Sequence, residues 1–172
     1  PDHYDHAHDF CDIVIVGSGP AGIAAAKEAA DKKLDVILVE QDNLLGGDQL
    51  AESDFDIEAN YTELKSLGVR VMHRTTAFGL YDNCVLGLLE RVTDHTGIVN
   101  QSLPRQRFWT IRAKHIIVGS GSFERHIAFN NNDIPGIMTV NASKHYLNRY
   151  GILTGKNIVI TTNNDSVYPT AG

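Results

Sequence analysis

The segment from Asp12 to Glu40, DIVIVGSGPAGIAAAKEAADKKLDVILVE, opens on a continuous apolar run, Ile13 to Val16, rich in β-branched residues and closed by glycines. A run of that kind is expected where a strand is buried on both faces, as in a parallel sheet. Pro20 follows where a helix tolerates proline, in its first turn. From Pro20 to Ala30 the alanines at 21, 24, 25, 26, 29 and 30 give a helix thin enough to lie close to a sheet. Val36 to Val39 supplies a second apolar strand. The segment is therefore read as a βαβ unit with a right-handed crossover.

The turn inside this unit carries the chemistry. Gly17, Gly19 and Gly22 form GxGxxG directly after a strand and directly before a helix. The first glycine permits the tight turn, the second lets the backbone approach a pyrophosphate, and the third lets helix and strand pack closely. Unpaired N–H groups and the helix dipole then favour the phosphates at the helix start. Glu40 ends the second strand, where an acidic residue is expected to accept hydrogen bonds from an adenosine ribose, with Gln41 beside it. Its charge disfavours a 2′-phosphate, so NAD or FAD is expected rather than NADP. Gly46 and Gly47 suggest a second close backbone approach, although a plain turn also fits them. The expected cofactor contacts are Gly17, Ser18, Gly19, Pro20, Ala21, Gly22, Glu40, Gln41, Gly46, Gly47, Ser120 and Gly121. The last two end a buried parallel strand read at His115 to Val118, at the carboxyl edge where ligands of open α/β sheets bind.

Outward from this unit, Ile57 to Leu67 has helical spacing and Val69 to Val71 reads as a short strand after Gly68. Between Thr75 and Ile111 the period shifts to two residues, with a polar, turn-like stretch at Thr93 to Leu103, as in a small antiparallel excursion. Asn141 to Tyr150 reads as a helix closed by Gly151, and Asn157 to Thr161 as a further strand. Ile158, Val159 and Ile160 echo Ile13, Val14 and Ile15, so a second Rossmann-like start is expected there. Its glycines are absent: Thr162, Asn164 and Val167 stand against Gly17, Gly19 and Gly22, so this turn is not expected to hold a pyrophosphate in the same way. Asn163, Asn164 and Asp165 suit a turn. The expected architecture is α/β, a Rossmann-like parallel sheet with an antiparallel excursion. Residues 1–11 are expected to form an N-terminal arm, 12–152 a first, incomplete dinucleotide-binding domain, and 153–172 the truncated start of a second. A longer parent polypeptide is the corresponding expectation.

The 172 residues carry a formal charge of −6 and no Lys/Arg cluster, which argues against a nucleic-acid partner. No apolar run of about eighteen residues suggests a membrane span, and the N-terminus lacks the pattern of a secretory signal, so a cytoplasmic location is the default expectation. Cys11 and Cys84 form no CxxC and read as buried thiols. His3, His6 and His8 could bind a metal, but no closing Cys or carboxylate motif accompanies them, and no metal site is expected. His115 and His145 read as structural. Glu124 and Arg125 could face a cofactor or form a surface ion pair. No catalytic constellation is found, and the segment is expected to bind and assemble rather than do chemistry.

With these pieces in place the sequence resembles the two-dinucleotide-binding-domain flavoproteins, and within them the α subunits of heterotetrameric sarcosine oxidases. GSGPAG at 17–22, Glu40, Gly46 and Gly47, and VGSG at 118–121 carry the general resemblance. GLYD at 79–82, FERH at 123–126, NNDIPGIM at 131–138, YLNRYG at 146–151 and TNNDS at 162–166 carry the narrower one. The chain departs from the family's usual ATGA and ERP in having Gly119 to Ser122 and His126 at those places. The resemblance implies NAD held without hydride transfer at the Gly17 turn, with FAD as second choice. It also implies FAD and FMN elsewhere in a complex with β, γ and δ subunits, and oxidation of a secondary amine such as sarcosine, with a one-carbon unit passed to tetrahydrofolate and hydrogen peroxide released. The alternatives are an FAD-dependent NAD(P)H reductase, which the degenerate turn at Thr162 counts against, and a non-catalytic nucleotide-bound scaffold.

Overall fold

The computed structural model describes residues 3–52, 54–97 and 102–170. The chain divides into two compact units, one of Pro1–Gly47 and Asp56–Gly121, the other of Asp48–Phe55 and Ser122–Gly172.

In the first unit the βαβ reading holds. Strand β1 (Tyr4–Val16), helix α1 (Pro20–Asp31) and strand β2 (Val36–Val39) are followed by α2 (Ile57–Ser66) and β3 (Arg70–Met72). The excursion is β4 (Thr75–Tyr81), β5 (Val85–Arg91) and the first half of β6 (Gln106–Val118). These make one mixed sheet in the order β3-β2-β1-β6-β5-β4, parallel from β3 through β6 and antiparallel from β6 to β4. The α1 alanines do what small residues allow. Ala26, Ala29 and Ala30 lie against Ile13, Ile15, Val36 and Leu38, together with Leu64 of α2, in a core on one face of the sheet. The other face is covered by the sheet itself. Val14, Ile37 and Val39 pack with Leu86 and Leu88 of β5 and Ile111 of β6, so the hairpin curls back over strands it does not pair with. Helix α2 is capped by Asp56, whose carboxylate accepts the Ala59 N–H at 2.9 Å.

The structure differs from the sequence expectation in three places. Residues 4–11, expected as an arm, are strand: β1 pairs in parallel with β6 from Tyr4 against Gln106 through to Val16 against Val118. Asp5 and Asp9, on the half-buried face, are neutralised from a distance. Arg107 Nε lies 2.9 Å from Asp5, and Arg70 bonds Asp9 and, at 2.9 Å, Asp35. Second, His115 to Val118 is parallel strand but not buried, with Ile117 39% and Val118 64% exposed. Both faces of a parallel strand are covered only where helices flank it, and the helices of this unit pack on β1 and β2.

The third difference lies in the second unit. Helix α3 (Val140–Tyr150) forms as expected, capped by Thr139 and closed by Gly151 at φ 67°. Glu124 accepts the Asn141 N–H at 2.7 Å, and Lys144 pairs with Glu52. Short 3-10 turns cover Gly47–Ala51 and Asp165–Thr170. The strand expected over Asn157 to Thr161 is not formed, and Val159 is 95% exposed. A β-branched run has strand propensity but needs a neighbour to satisfy its backbone, and the described residues of this unit contain no other strand. Among the described residues no helix is long and apolar enough to cross a membrane.

Candidate functional site

The glycine turn is built by close backbone approach. Gly17 leaves β1 at φ 98° and donates its N–H to the Val39 carbonyl at 2.8 Å, while Gly119 donates to the Val16 carbonyl at 2.8 Å. A Cβ on Gly17 would stand 2.3 Å from the Gly119 carbonyl oxygen, and one on Gly22 would stand 1.8 Å from that of Gly17. Those two glycines are required by the protein's own packing. Gly19 differs: a Cβ there would meet nothing within 4 Å, and its φ of −65° suits any residue. Its missing side chain leaves open space at the start of α1, which fits a group from outside the chain.

Pro20 and Ala21 begin α1 and are exposed beside that space. The helix has no side-chain cap and no acidic residue in its first turn, so neither a capping oxygen nor a carboxylate offsets the dipole there. Gly47 approaches from the other side, where a Cβ would lie 3.3 Å from the Gly19 Cα. Gly46, at φ 130°, donates to Ser18, 3.0 Å to its carbonyl and 3.2 Å to its hydroxyl. Ser120 and Gly121 follow Gly119 next to Gly17, both exposed.

Ser18 turns inward. It is fully buried and gives both its N–H, at 3.1 Å, and its hydroxyl to Glu40 Oε2. Glu40 Oε1 accepts the Asp42 N–H at 2.7 Å, and the residue is 6% exposed. The carboxylate is thus a tether between the glycine turn and the end of β2. Each oxygen has two lone-pair directions, so Oε1 retains one for a ribose hydroxyl. Gln41 offers its carbonyl to Arg91 Nη2 at 2.8 Å. The structure brings Gly17 to Gly22, Glu40, Gly46, Gly47 and Ser120 together at the carboxyl ends of β1, β2 and β6. The tethering of Ser18 by Glu40 was not read from the sequence. Its signal was a hydroxyl residue inside the turn, 22 positions before the carboxylate.

The remaining sequence candidates lie elsewhere. His6 stacks against Phe108 with ring centroids 5.3 Å apart, His115 is exposed on β6, and His145 Nε2 is 3.8 Å from Asp48. Among the described residues no group of His, Cys, Asp and Glu is arranged to hold a metal. At the degenerate turn, Asn164 donates its N–H to Thr162 Oγ1 at 3.1 Å, a loop closed on itself. Cys11 is buried, and burial pushes its thiol up to about 11.

A parallel sheet with this turn between β1 and α1 defines a Rossmann-like nucleotide-binding protein. The chain belongs to the FAD dependent oxidoreductase family, which it matches over residues 12–130. It is 39% identical to sarcosine oxidase subunit alpha of Corynebacterium sp. (strain U-96), over 98% of this chain and 19% of that one. The same subunit of Rhizobium meliloti (strain 1021) is also 39% identical, over 99% and 18%. The chain therefore spans under a fifth of the length of these relatives. Among solved structures, the L-proline dehydrogenase of P. horikoshii shares the fold, with a TM-score of 0.65 at 23% identity over 88% of this chain and 31% of that one.

Proposed function

We propose that this chain is the dinucleotide-holding part of an α subunit in a sarcosine oxidase-like, flavin-dependent oxidase of secondary amines. The observation that carries the site is the contrast among its glycines: Gly17 and Gly22 are filled by the protein's own backbone, while Gly19 faces open space at an uncapped helix start. On this reading, Gly19, Pro20 and Ala21 receive the pyrophosphate, Glu40 and Gln41 the adenosine ribose, and Gly46, Gly47, Ser120 and Gly121 flank the cofactor. The acid and the hydroxyl at the turn, Glu40 and Ser18, are engaged with each other, so on this reading the residues here bind and orient while amine oxidation takes place elsewhere in a complex of β, γ and δ subunits. The likeness to the sarcosine oxidase α subunits over nearly the whole chain supports this and favours NAD in the turn. The match to an FAD dependent family favours a second reading, FAD in the same place.

Heat denaturation of the purified protein, with chromatography of the released nucleotide, tests the proposal. NAD is expected. FAD released instead would establish the second reading, and an empty supernatant from protein saturated with both would overturn the site.

A further inference from the structure

A cavity of about 380 Å³ opens in the first unit, between the end of β3 and the strands β5 and β6, and none of its lining residues belongs to the glycine turn. Its lining is basic. Arg74, Arg91 and Arg107 face one carboxylate, Glu90, in a protein whose net charge is −6, and His73 and His95 complete the polar lining. Glu90 is already committed, accepting Trp109 Nε1 at 2.7 Å and lying 3.6 Å from Arg107 Nη1. Arg107 is committed too, paired with Asp5 and set over the Trp109 ring at 5.6 Å.

What remains is not fully compensated. Among the described residues the Arg74 guanidinium makes no hydrogen bond or ion pair, although its backbone is pinned: its N–H donates to the Asp42 carbonyl at 2.9 Å and its carbonyl accepts from Arg91 at 3.0 Å. It sits at φ 52°, a region costly for a side chain with a Cβ. Arg91 spends one nitrogen on the Gln41 carbonyl, and its charge is shared with Asp94, which Arg105 already pairs. His73 Nδ1 is shielded from solvent and has no partner among the described residues. Burial holds His73 below the usual histidine range, with Glu40 acting upward and Arg74 downward, so its imidazole is neutral near pH 7 and adds no charge to the cavity.

We propose that this cavity is a second ligand site for a small organic anion, a carboxylate or phosphate monoester carried on a flat ring. The oxyanion lies against Arg74 and Arg91, where charge-assisted bonds replace the missing counter-charge. The ring lies against Trp109. The inference does not depend on which dinucleotide the glycine turn holds, or on whether it holds one.

Trp109 is the one tryptophan of the 172 residues, so its fluorescence reports on the cavity directly. The protein, kept at low salt with NAD and FAD both in excess, is titrated with phenyl phosphate and separately with benzoate. A saturable change with either probe is expected, and the tighter one identifies the anion. The substitution Arg74→Gly relieves the positive φ while removing the charge, so it is not lost to misfolding, and it should weaken binding about tenfold or more. No saturable change with either probe up to about 10 mM, a concentration that would detect even millimolar affinity, overturns the proposal. So does undiminished binding in Arg74→Gly. Inorganic phosphate binding as tightly as phenyl phosphate would overturn the ring contact.

Discussion

Two glycines three positions apart in one turn have opposite reasons for being glycine. At Gly22 a methyl group would meet the Gly17 carbonyl at 1.8 Å, and Gly22→Ala should lower stability by about 3 kcal/mol through overpacking, seen as a fall in thermal midpoint. At Gly19 nothing of the protein is in the way. Gly19→Ala should melt with the parent protein yet lose bound nucleotide, and Gly19→Val should lose it completely. A Gly19→Ala variant with normal nucleotide content would show that no ligand approaches there. The GxGxxG spacing was legible, and with it the place of Glu40. The division of labour among the glycines was not, because it depends on Gly119, which arrives from a distant strand. Cys11 offers a third measurement. With its thiol raised to about 11 by burial, the thiolate is scarce at pH 8 and grows tenfold for each unit of pH. Cys84 is only half-buried, so the measurement uses Cys84→Ser: labelling of Cys11 by a disulfide reagent should be slow in the folded protein and fast in urea, and equal rates would show that Cys11 is not buried.

Elements were legible where the sequence carried a period of its own. The βαβ unit, α2 and α3 form close to their expected bounds because each carries signals of its own: a core face in α1 and α2, Pro20 at the start of α1, and Gly151 at φ 67° closing α3. The first half of β1 was not legible. Its half-buried face is made of Asp5, Ala7, Asp9 and Cys11, and the arginines that make two acids tolerable there are Arg107 and Arg70, 102 and 61 positions away. The expected strand at Asn157 to Thr161 failed for the converse reason, local propensity without a partner. The hairpin's second role, as a cover for the parallel strands, is testable through Leu88, which is fully buried against them. Leu88→Ala should cost about 2–5 kcal/mol in urea denaturation, the range for a core leucine. A loss under about 1 kcal/mol, the size of a surface change, would mean that the hairpin does not close that face.

For the molecule as a whole, large apolar side chains stand uncovered in both units. Phe10 is 77% exposed and Val118 64% in the first unit; Phe123 is 92% and Val159 95% in the second. Such surface favours association. The 172-residue chain should therefore self-associate with rising concentration, which light scattering would register, and a strictly monomeric profile would contradict it. The two apolar runs at Ile13 and Ile158 look alike in sequence and end differently. The first is flanked by β2 and β6, the second by no strand among the described residues.

The parallel pairing of β1 with β6 also has a consequence in time. The two strands are rungs of one ladder whose paired residues, such as Asp5 and Arg107, are 102 positions apart, so the ladder cannot close while the ribosome is still building the hairpin between them. The backbone that braces the Gly17 turn, Gly119, emerges about a hundred residues after it, which at 5–20 residues per second is a delay of roughly 5–20 seconds. During that interval the nascent chain has its phosphate-binding sequence but not its phosphate-binding shape. On the proposed reading, cofactor capture therefore follows the synthesis of β6, and a truncation ending before β6 is expected to carry the whole motif and bind no nucleotide.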